Sequence, residues 1–158
     1  MTHMLLRDKY RMIAVLDIQE NTVFVRKHTF ENTEIPCDSP LEYEGFIREL
    51  SEKCIQEKSR EWFRISASLN TMEENLQVAG TYSFTVYNAD CGAERYTYQW
   101  LDKEYREVLI AVEDRTVEME KDPLTDYLNR DGFVRKTENI LKKNADRYQF
   151  AIIYFNIR

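Results

Sequence analysis

The side chains best suited to redox or nucleophilic chemistry are few in this sequence. Its cysteines, Cys37, Cys54 and Cys91, are an odd number without the spacing of a metal site, which favours free thiols in a reducing cytosol. His3 and His28 are the only histidines, and neither lies near a candidate nucleophile motif. Because a hydroxyl or thiol nucleophile needs a neighbouring base, the sequence indicates no catalytic residue.

Aromatic side chains form a second candidate set, for binding rather than for catalysis. Five of them alternate with polar residues along two predicted strands: Tyr82, Phe84, Tyr96, Tyr98 and Trp100. They could line a small-molecule pocket, but core or dimer packing is favoured because aromatic residues dominate both settings. Arg64 and Arg95 could recognise a carboxylate, although surface arginines are more often simply solvated.

The overall composition is that of an ordinary globular protein. The 158 residues suffice for one domain with a real core, and 43% apolar with 32% charged residues is typical of that class. A net charge of −6 argues against a nucleic-acid partner, since phosphate binding needs a basic surface. No apolar run approaches the ~18 residues of a spanning helix, and the N-terminus shows no secretory signal. The sequence therefore predicts a cytoplasmic protein with no membrane segment in this chain.

The apolar pattern predicts two strands followed by a helix. Residues 12–16 and 22–26 form a hairpin around a polar turn. Ser39 is a natural helix N-cap, with Pro40 at the first helical position and Glu42 completing a capping box. An apolar stripe at helical spacing follows, made of Tyr43, Phe46, Ile47, Leu50 and Cys54.

Two more helices and three more strands complete this part of the chain. A short helix is indicated around Trp62, and another begins at Asn70 and ends at Gly80. Three strands follow, at residues 81–87, 94–101 and 108–112. The last is apolar throughout, so we expect it to be central. These elements predict an α+β fold, a five-stranded antiparallel sheet with helices packed on one face.

The order of elements over residues 8–116 resembles that of the PAS family of sensory domains. Asp114-Arg115-Thr116, directly after the last strand, is similar to the family's D-I-T exit motif, with Arg115 in the place of isoleucine. The resemblance implies that Asp114 and Thr116 fix where the last strand passes into an output helix. A GAF-type sensor, built on a related plan of sheet and helices, is the nearest rival fold.

Because many PAS domains hold a cofactor, the resemblance raises two candidate ligands. The family's haem ligand is expected between residues 40 and 80, where this sequence has no histidine. A photoactive flavin domain needs a reactive cysteine in an N-C-R-F-L-Q-like helix, which residues 52–56 (E-K-C-I-Q) do not match. Cys54 lies on an apolar stripe and is better explained as a core thiol. We expect no cofactor in this chain, and an unknown small-molecule signal stays open.

Residues 122–133, D-P-L-T-D-Y-L-N-R-D-G-F, resemble the opening of the GGDEF domain of diguanylate cyclases. The family pattern is D-x-L-T-G-L-x-N-R, then an aromatic residue three positions on. Asp126 stands for the usual glycine and Tyr127 for the usual leucine. An amphipathic helix at 133–141 and a buried strand at 150–155 are predicted behind it. Residues 117–121 are predicted to form a signalling helix between sensor and output.

The GGDEF resemblance also identifies a metal position. In the family the buried strand closes with D-x-D, whose first aspartate helps to hold divalent metals on the GTP phosphates. Asn156 occupies that position here and offers a neutral carbonyl, and Arg158 places a cation where the family has an acid. The chain ends before the glycine-rich family signature. The resemblance therefore implies a degenerate domain, inactive in this chain, with GTP and magnesium relevant only if a full-length output domain is active.

These patterns predict three parts: a PAS-like sensor at 8–116, a linker at 117–121 and a GGDEF fragment at 122–158. The main hypothesis is a region that relays a ligand or dimerisation state into cyclic-di-GMP signalling. One alternative is the N-terminal part of an active diguanylate cyclase, and another is a ligand-free dimerisation module. The fragment is shorter than the ~40 residues that usually fold alone, so we expect it to dock on the sensor or on a second chain, giving a homodimer.

Overall fold

The computed structural model describes residues 10–31, 33–90 and 92–144. The chain divides into two compact units, Met1–Thr116 and Val117–Arg158. The described part of the first unit is a mixed α+β fold built on a six-stranded antiparallel sheet. The strands are β1 (Tyr10–Asp17), β2 (Thr22–His28), β3 (Pro40–Glu42), β4 (Thr81–Tyr87), β5 (Ala93–Asp102) and β6 (Glu107–Asp114). The helices are α1 (Tyr43–Lys53), α2 (Arg60–Ser66) and α3 (Leu69–Ala79), with a 3-10 turn at Glu57–Ser59.

The sheet has one face in the core because apolar residues alternate along its strands. Met12, Ala14 and Leu16 of β1 are fully buried, and the residues between them are half-buried. The helices supply Leu50 and Phe63 to the same core. The strand order is β3-β2-β1-β6-β5-β4, so β6 lies in the interior of the sheet, as its apolar run predicted. We refer to the face packed by the helices as the core face.

The predicted count of five strands is wrong, because residues 40–42 form a short edge strand rather than the first turn of a helix. Pro40 lies opposite Phe24 of β2, at the sheet edge where a residue without an N–H is tolerated. The predicted capping box at Ser39 is therefore also wrong. Glu42 is the actual N-cap of α1, and its carboxylate accepts the backbone N–H of Gly45 at 2.6 Å. Pairing with β2 outweighs the local preference of these residues for a helix start.

The helix predicted to begin at Asn70 starts one residue earlier. Ser68 is its N-cap and accepts the backbone N–H of Thr71, so α3 runs from Leu69. Its predicted end at Gly80 is confirmed, because Gly80 adopts φ 73°, a left-handed conformation that costs glycine little. Both boundaries follow from ordinary capping chemistry.

Two helices are described beyond β6. The first, α4 (Thr116–Met119), has only four residues, so the predicted linker helix at 117–121 is shorter than expected. The second, α5 (Arg130–Asn144), covers the amphipathic helix predicted at 133–141. The strand predicted at 150–155 lies outside the described residues. In the described residues, no helix has the length and apolar character needed to cross a membrane.

Candidate functional site

A buried carboxylate is the most unusual feature of the first unit. Glu94 lies on β5 in phase with Tyr96 and Tyr98, so it shares their core face, and it is fully buried. Because an ionised carboxylate loses much hydration when it is buried, it needs partners. Tyr96 donates one long hydrogen bond, 3.4 Å, to Glu94 Oε2. Burial raises the pKa of Glu94, although contacts with Asn88 and Arg11 oppose that shift.

Arg11 reaches this carboxylate from an irregular point of β1. The pairing of β1 with β6 loses register between Tyr10 and Met12, which makes Arg11 the extra residue of a β-bulge. A bulge can redirect a side chain out of the regular alternation of a strand. Arg11 Nη1 lies 2.8 Å from Glu94 Oε1, and its guanidinium carbon lies 5.4 Å from the ring centre of Phe30. Glu94 thus has a cationic partner on a second strand.

Asn88 joins Glu94 to the turn between β4 and β5. Its Nδ2 donates to Glu94 Oε1 at 3.0 Å, while its Oδ1 accepts the backbone N–H groups of Asp90 at 3.1 Å and Gly92 at 2.7 Å. Only glycine fits at position 92, since a Cβ there would lie 2.7 Å from Thr116 Oγ1. One asparagine therefore links the buried carboxylate to the backbone of this turn.

A cavity of about 130 Å³ lies beside the ion pair, and we call it the Glu94 cavity. Its outer lining includes the exposed residues Glu31 and Asp90, and its inner lining includes the buried residues Asn88 and Glu94. Arg11 also lines it. The arrangement can hold a small polar molecule between an acidic mouth and a buried carboxylate.

Cys54, at the end of α1, lines the same cavity but is poorly suited to react. Burial, with a smaller contribution from Glu94, raises the pKa of its thiol to about 11. Since the thiolate is the reactive form of cysteine, this thiol stays protonated near neutral pH. It belongs to the apolar core, as predicted, and its carbonyl accepts the backbone N–H of Ala89 at 2.9 Å.

The predicted exit residues Asp114 and Thr116 lie beside this site. Asp114 Oδ1 accepts the backbone N–H of Thr116 at 2.9 Å, and Thr116 Oγ1 accepts the backbone N–H of Ala93 at 3.0 Å. The backbone N–H of Arg115 donates to the carbonyl of Ala93 at 2.8 Å. Both backbone groups of the residue before Glu94 are therefore bound by the segment that leaves the sheet.

The aromatic residues of the predicted ligand pocket lie together on the core face. Tyr96 and Tyr98 are fully buried, Phe84 is nearly so, and Tyr82 and Trp100 are partly buried. Phe84 lies with its ring centre 5.5 to 6.0 Å from those of Tyr82, Tyr96 and Tyr98, and the ring centres of Tyr82 and Tyr98 are 6.0 Å apart. None of the five lines the Glu94 cavity or a second cavity of about 240 Å³ beside α1. They fill the core here, and a ligand pocket among them stays a prediction.

The two arginines considered for carboxylate recognition lie on different elements. Arg64 is exposed on α2 and lines the second cavity together with Arg48. Arg95 is exposed on β5, where it lies opposite Thr85. Neither is part of the Glu94 cavity, whose arginine is Arg11.

In the second unit, the start of the 122–133 motif forms a tight turn. Asp122 Oδ1 accepts the backbone N–H groups of Thr125 and Leu124, both at 3.0 Å, and these hydrogen bonds lower the pKa of Asp122. Asp126 adopts φ 59°, and its backbone N–H donates to the carbonyl of Asp122 at 2.9 Å. The position at which the family pattern has glycine is thus the one that requires a left-handed backbone.

The end of the motif starts α5. Asn129 Oδ1 accepts the backbone N–H of Gly132 at 2.9 Å, and Asn129 Nδ2 donates to the carbonyl of Met119 at 2.7 Å. A Cβ at Gly132 would overlap the carbonyl oxygen of Glu120, so this position also needs glycine. The motif therefore holds a turn and a helix start, which is a structural role.

Arg11, Asn88 and Glu94 are not among the site residues predicted from the sequence. The sequence does contain one indication for Glu94. Period-two alternation places it on the same face as Tyr96 and Tyr98, and a charged residue is unusual on a buried face. No comparable signal exists for Arg11, because a bulge is set by strand pairing and not by local residue types.

Asn156, the predicted metal position, lies outside the described residues. Within residues 10–31, 33–90 and 92–144, no group of three or more His, Cys, Asp or Glu side chains is placed to hold a metal ion. Comparison of the chain with protein-family models and with curated proteins finds no match. The PAS and GGDEF resemblances therefore rest on the residues described above.

Proposed function

We propose that this chain is the sensory region of a cyclic-di-GMP signalling protein. In this proposal residues 8–116 are a PAS-like sensor, residues 117–121 a linker, and residues 122–158 the start of a GGDEF-type output domain; the division between the two compact units after Thr116 supports the end of the sensor. The sensor relays a ligand or a dimerisation state to that output. The chain by itself catalyses no reaction.

The observation that carries this proposal is the backbone of Asp126. The family pattern matches this chain at Asp122, Leu124, Thr125 and Asn129, and departs from it at Tyr127, where the family has leucine, and at Asp126, where the family has glycine. That residue adopts φ 59°, a conformation in which glycine is favoured and aspartate is tolerated. If the sequence matched the family pattern by chance, there would be no reason for residue 126 to adopt a left-handed conformation. If the chain forms the same turn as the family, a left-handed residue is expected at the position of the family's glycine.

The sensor half of the proposal is supported by the exit of the sheet. The first unit has two strands, helices and three strands in the PAS-like order, with the short β3 added at one edge. At the point where the chain leaves β6, the backbone N–H of Thr116 donates to Asp114, and the hydroxyl of Thr116 accepts the backbone N–H of Ala93. A fixed exit suits a domain that transmits a change of its sheet to a following helix.

The output half is tested with the full-length protein that contains this sequence, incubated with GTP and Mg²⁺. No cyclic-di-GMP is expected by mass spectrometry, because Asn156 and Arg158 replace acids where metal-bound phosphates need anionic ligands. Clear turnover would support the alternative, an active diguanylate cyclase.

A paired substitution tests the family assignment independently of turnover. Replacing Asn156 and Arg158 by aspartate in the full-length protein restores the family's metal-binding carboxylate and removes a nearby cation, so Mg²⁺-dependent GTP binding is expected to strengthen. Unchanged GTP binding in that variant would argue that the output domain is not of the GGDEF type. The matched control replaces exposed Asn70 by aspartate, which adds an acid in the first unit.

The proposal includes a homodimer. Helix α5 exposes Phe133, Val134 and Leu141 by 49, 45 and 40%, an apolar surface that a second copy of the chain can cover. Light scattering of the purified chain should give twice the monomer mass, and a monomer at all concentrations tested would contradict the dimer. Native mass spectrometry of the same sample separates the alternatives, because a dimer with no bound small molecule favours the ligand-free dimerisation module.

A further inference from the structure

We propose that the Glu94 cavity binds a small organic dication, of the class of short aliphatic diamines. One ammonium group lies against the Glu94 carboxylate at the buried end. The other lies between Glu31 and Asp90 at the mouth. The site is built from the first unit alone, so this inference does not depend on the output domain.

The charge of the lining selects a cation. Among the described residues that line the cavity, three are acidic (Glu31, Asp90 and Glu94) and one is basic (Arg11), which gives a formal charge of about −2. An anionic ligand would meet net repulsion in a cavity that is partly shielded from water. A doubly charged cation matches both the sign and the size of this charge.

The hydrogen bonds of Glu94 leave room for a donor. A carboxylate has two acceptor oxygens with about four lone-pair sites in all. Arg11 and Asn88 both approach Oε1, whereas Oε2 accepts, among the residues that the structure describes, one long hydrogen bond from Tyr96 at 3.4 Å. An ammonium group can therefore bind Oε2 without displacing the ion pair.

Size and ligand chemistry distinguish a diamine from a metal ion. The cavity of about 130 Å³ is close to the ~150 Å³ that accommodates benzene in an engineered protein cavity, so about six non-hydrogen atoms fit. In the described residues no cluster of three or more His, Cys, Asp or Glu side chains is placed to hold a metal ion. Phe30 and Cys54, which also line the cavity, offer apolar surface to a methylene chain.

The test titrates the full 158-residue chain with 1,4-diaminobutane at neutral pH and low salt, followed by calorimetry and by amide NMR shifts. Saturable binding is expected, with the largest shifts at Arg11, Asn88 and Glu94. Butylammonium, with one charge, should bind more weakly, and Mg²⁺ and butanoate should leave these amides unshifted. Absence of saturable binding, or shifts spread over the acidic surface, would overturn the proposal.

Two variants with a matched control make the result specific. Glu94→Gln should weaken diamine binding about tenfold or more, the effect of losing a charge-assisted hydrogen bond. Glu104→Gln makes the same change at an exposed turn residue and should leave the affinity unchanged. Because Glu94→Gln can impair folding, Asp90→Asn at the exposed mouth is measured as well and should weaken binding several-fold. Equal affinities in Asp90→Asn, Glu104→Gln and the parent chain would refute the site.

Discussion

The hydroxyl oxygen of Thr116 accepts a 3.0 Å hydrogen bond from the backbone N–H of Ala93. Thr116 is buried and begins α4, and Ala93 begins β5 next to the buried Glu94. The segment that leaves the sheet is therefore attached to the strand that carries the buried carboxylate. The hydrogen bonds of Ala93 to Thr116 and Arg115 therefore connect the Glu94 cavity with the point at which the chain leaves β6.

We expect Thr116→Val to destabilise the first unit by about 1–3 kcal/mol, because it leaves the buried N–H of Ala93 without an acceptor. Thr116→Ser keeps the hydroxyl and should cost less. Urea unfolding followed by the fluorescence of Trp100, whose indole N–H donates to the carbonyl of Leu76, reports on this unit. If valine and serine have equal effects, the hydrogen bond is not important for stability.

We expect Glu94 to make folding less favourable as pH rises from acid toward neutral. Burial raises its folded pKa above the ordinary value of 4.5, although Asn88 and Arg11 oppose the shift. Between pH 4.5 and the raised pKa, the unfolded chain has released the proton and the folded chain still holds it. This contribution to stability is therefore complete below pH 4.5 and is lost as pH rises through the folded pKa.

The pH prediction is checked by measuring the free energy of unfolding from acid to neutral pH in the parent chain and in Glu94→Gln. The stability of the parent chain relative to Glu94→Gln should fall from acid toward neutral pH, because glutamine cannot titrate. Groups with lowered pKa values, such as Asp122 and Glu49, contribute equally to both chains and cancel. Parallel curves would show that Glu94 titrates alike in the folded and unfolded states.

Substitutions at Asp126 should rank by their tolerance of a left-handed backbone. Glycine and asparagine should be at least as stable as aspartate, and alanine should be less stable by about 1 kcal/mol, with valine worse. Asparagine also controls for the exposed ion pair with Lys121, since it removes the charge and keeps the conformation. Hydrogen exchange at the amides of Asp122 and Asn129, which donate to the carbonyls of Tyr127 and Glu120 on either side of this turn, measures the effect. Equal protection of these amides in the valine and glycine variants would contradict the ranking.

The thiol of Cys54 should resist alkylation in the folded chain. With its pKa at about 11, its thiolate fraction at mildly alkaline pH is about a hundredfold below that of an ordinary cysteine of pKa ~8.5. Iodoacetamide treatment with peptide mapping should label the exposed Cys37 first and Cys54 only in urea. Equal rates for Cys54 in buffer and in urea would show that it is neither buried nor shifted.

Much of the sheet could be predicted because its strands alternate apolar and polar residues. The strand predicted at 81–87 agrees with β4, and those predicted at 94–101 and 108–112 lie within β5 and β6. Alternation is a local property, so it is visible in one sequence. The structure adds only one or two residues at the ends of β5 and β6, where pairing with neighbours decides the limit.

Strand β3 could not be predicted, since what makes residues 40–42 a strand is a partner distant in sequence. Thr22 and Phe24 of β2 supply that partner, while the local residues favoured a helix start. The candidate site could not be predicted for the same reason. Arg11 meets Glu94 because β1 is bulged against β6, and Asn88 meets it because a turn folds back. Contacts of this kind depend on tertiary structure and leave no local pattern.

The two edges of the sheet are not equivalent. At one edge, β3 has three residues, and Pro40 among them has no N–H to donate. At the other edge, β4 runs for seven residues and pairs with β5 on one side. Within the described residues, β4 is thus the better template for an incoming strand. A strand added to this sheet is therefore expected beside β4 and toward Thr81, since at the other end the carbonyl of Tyr87 already accepts the backbone N–H of Gln56 at 3.0 Å.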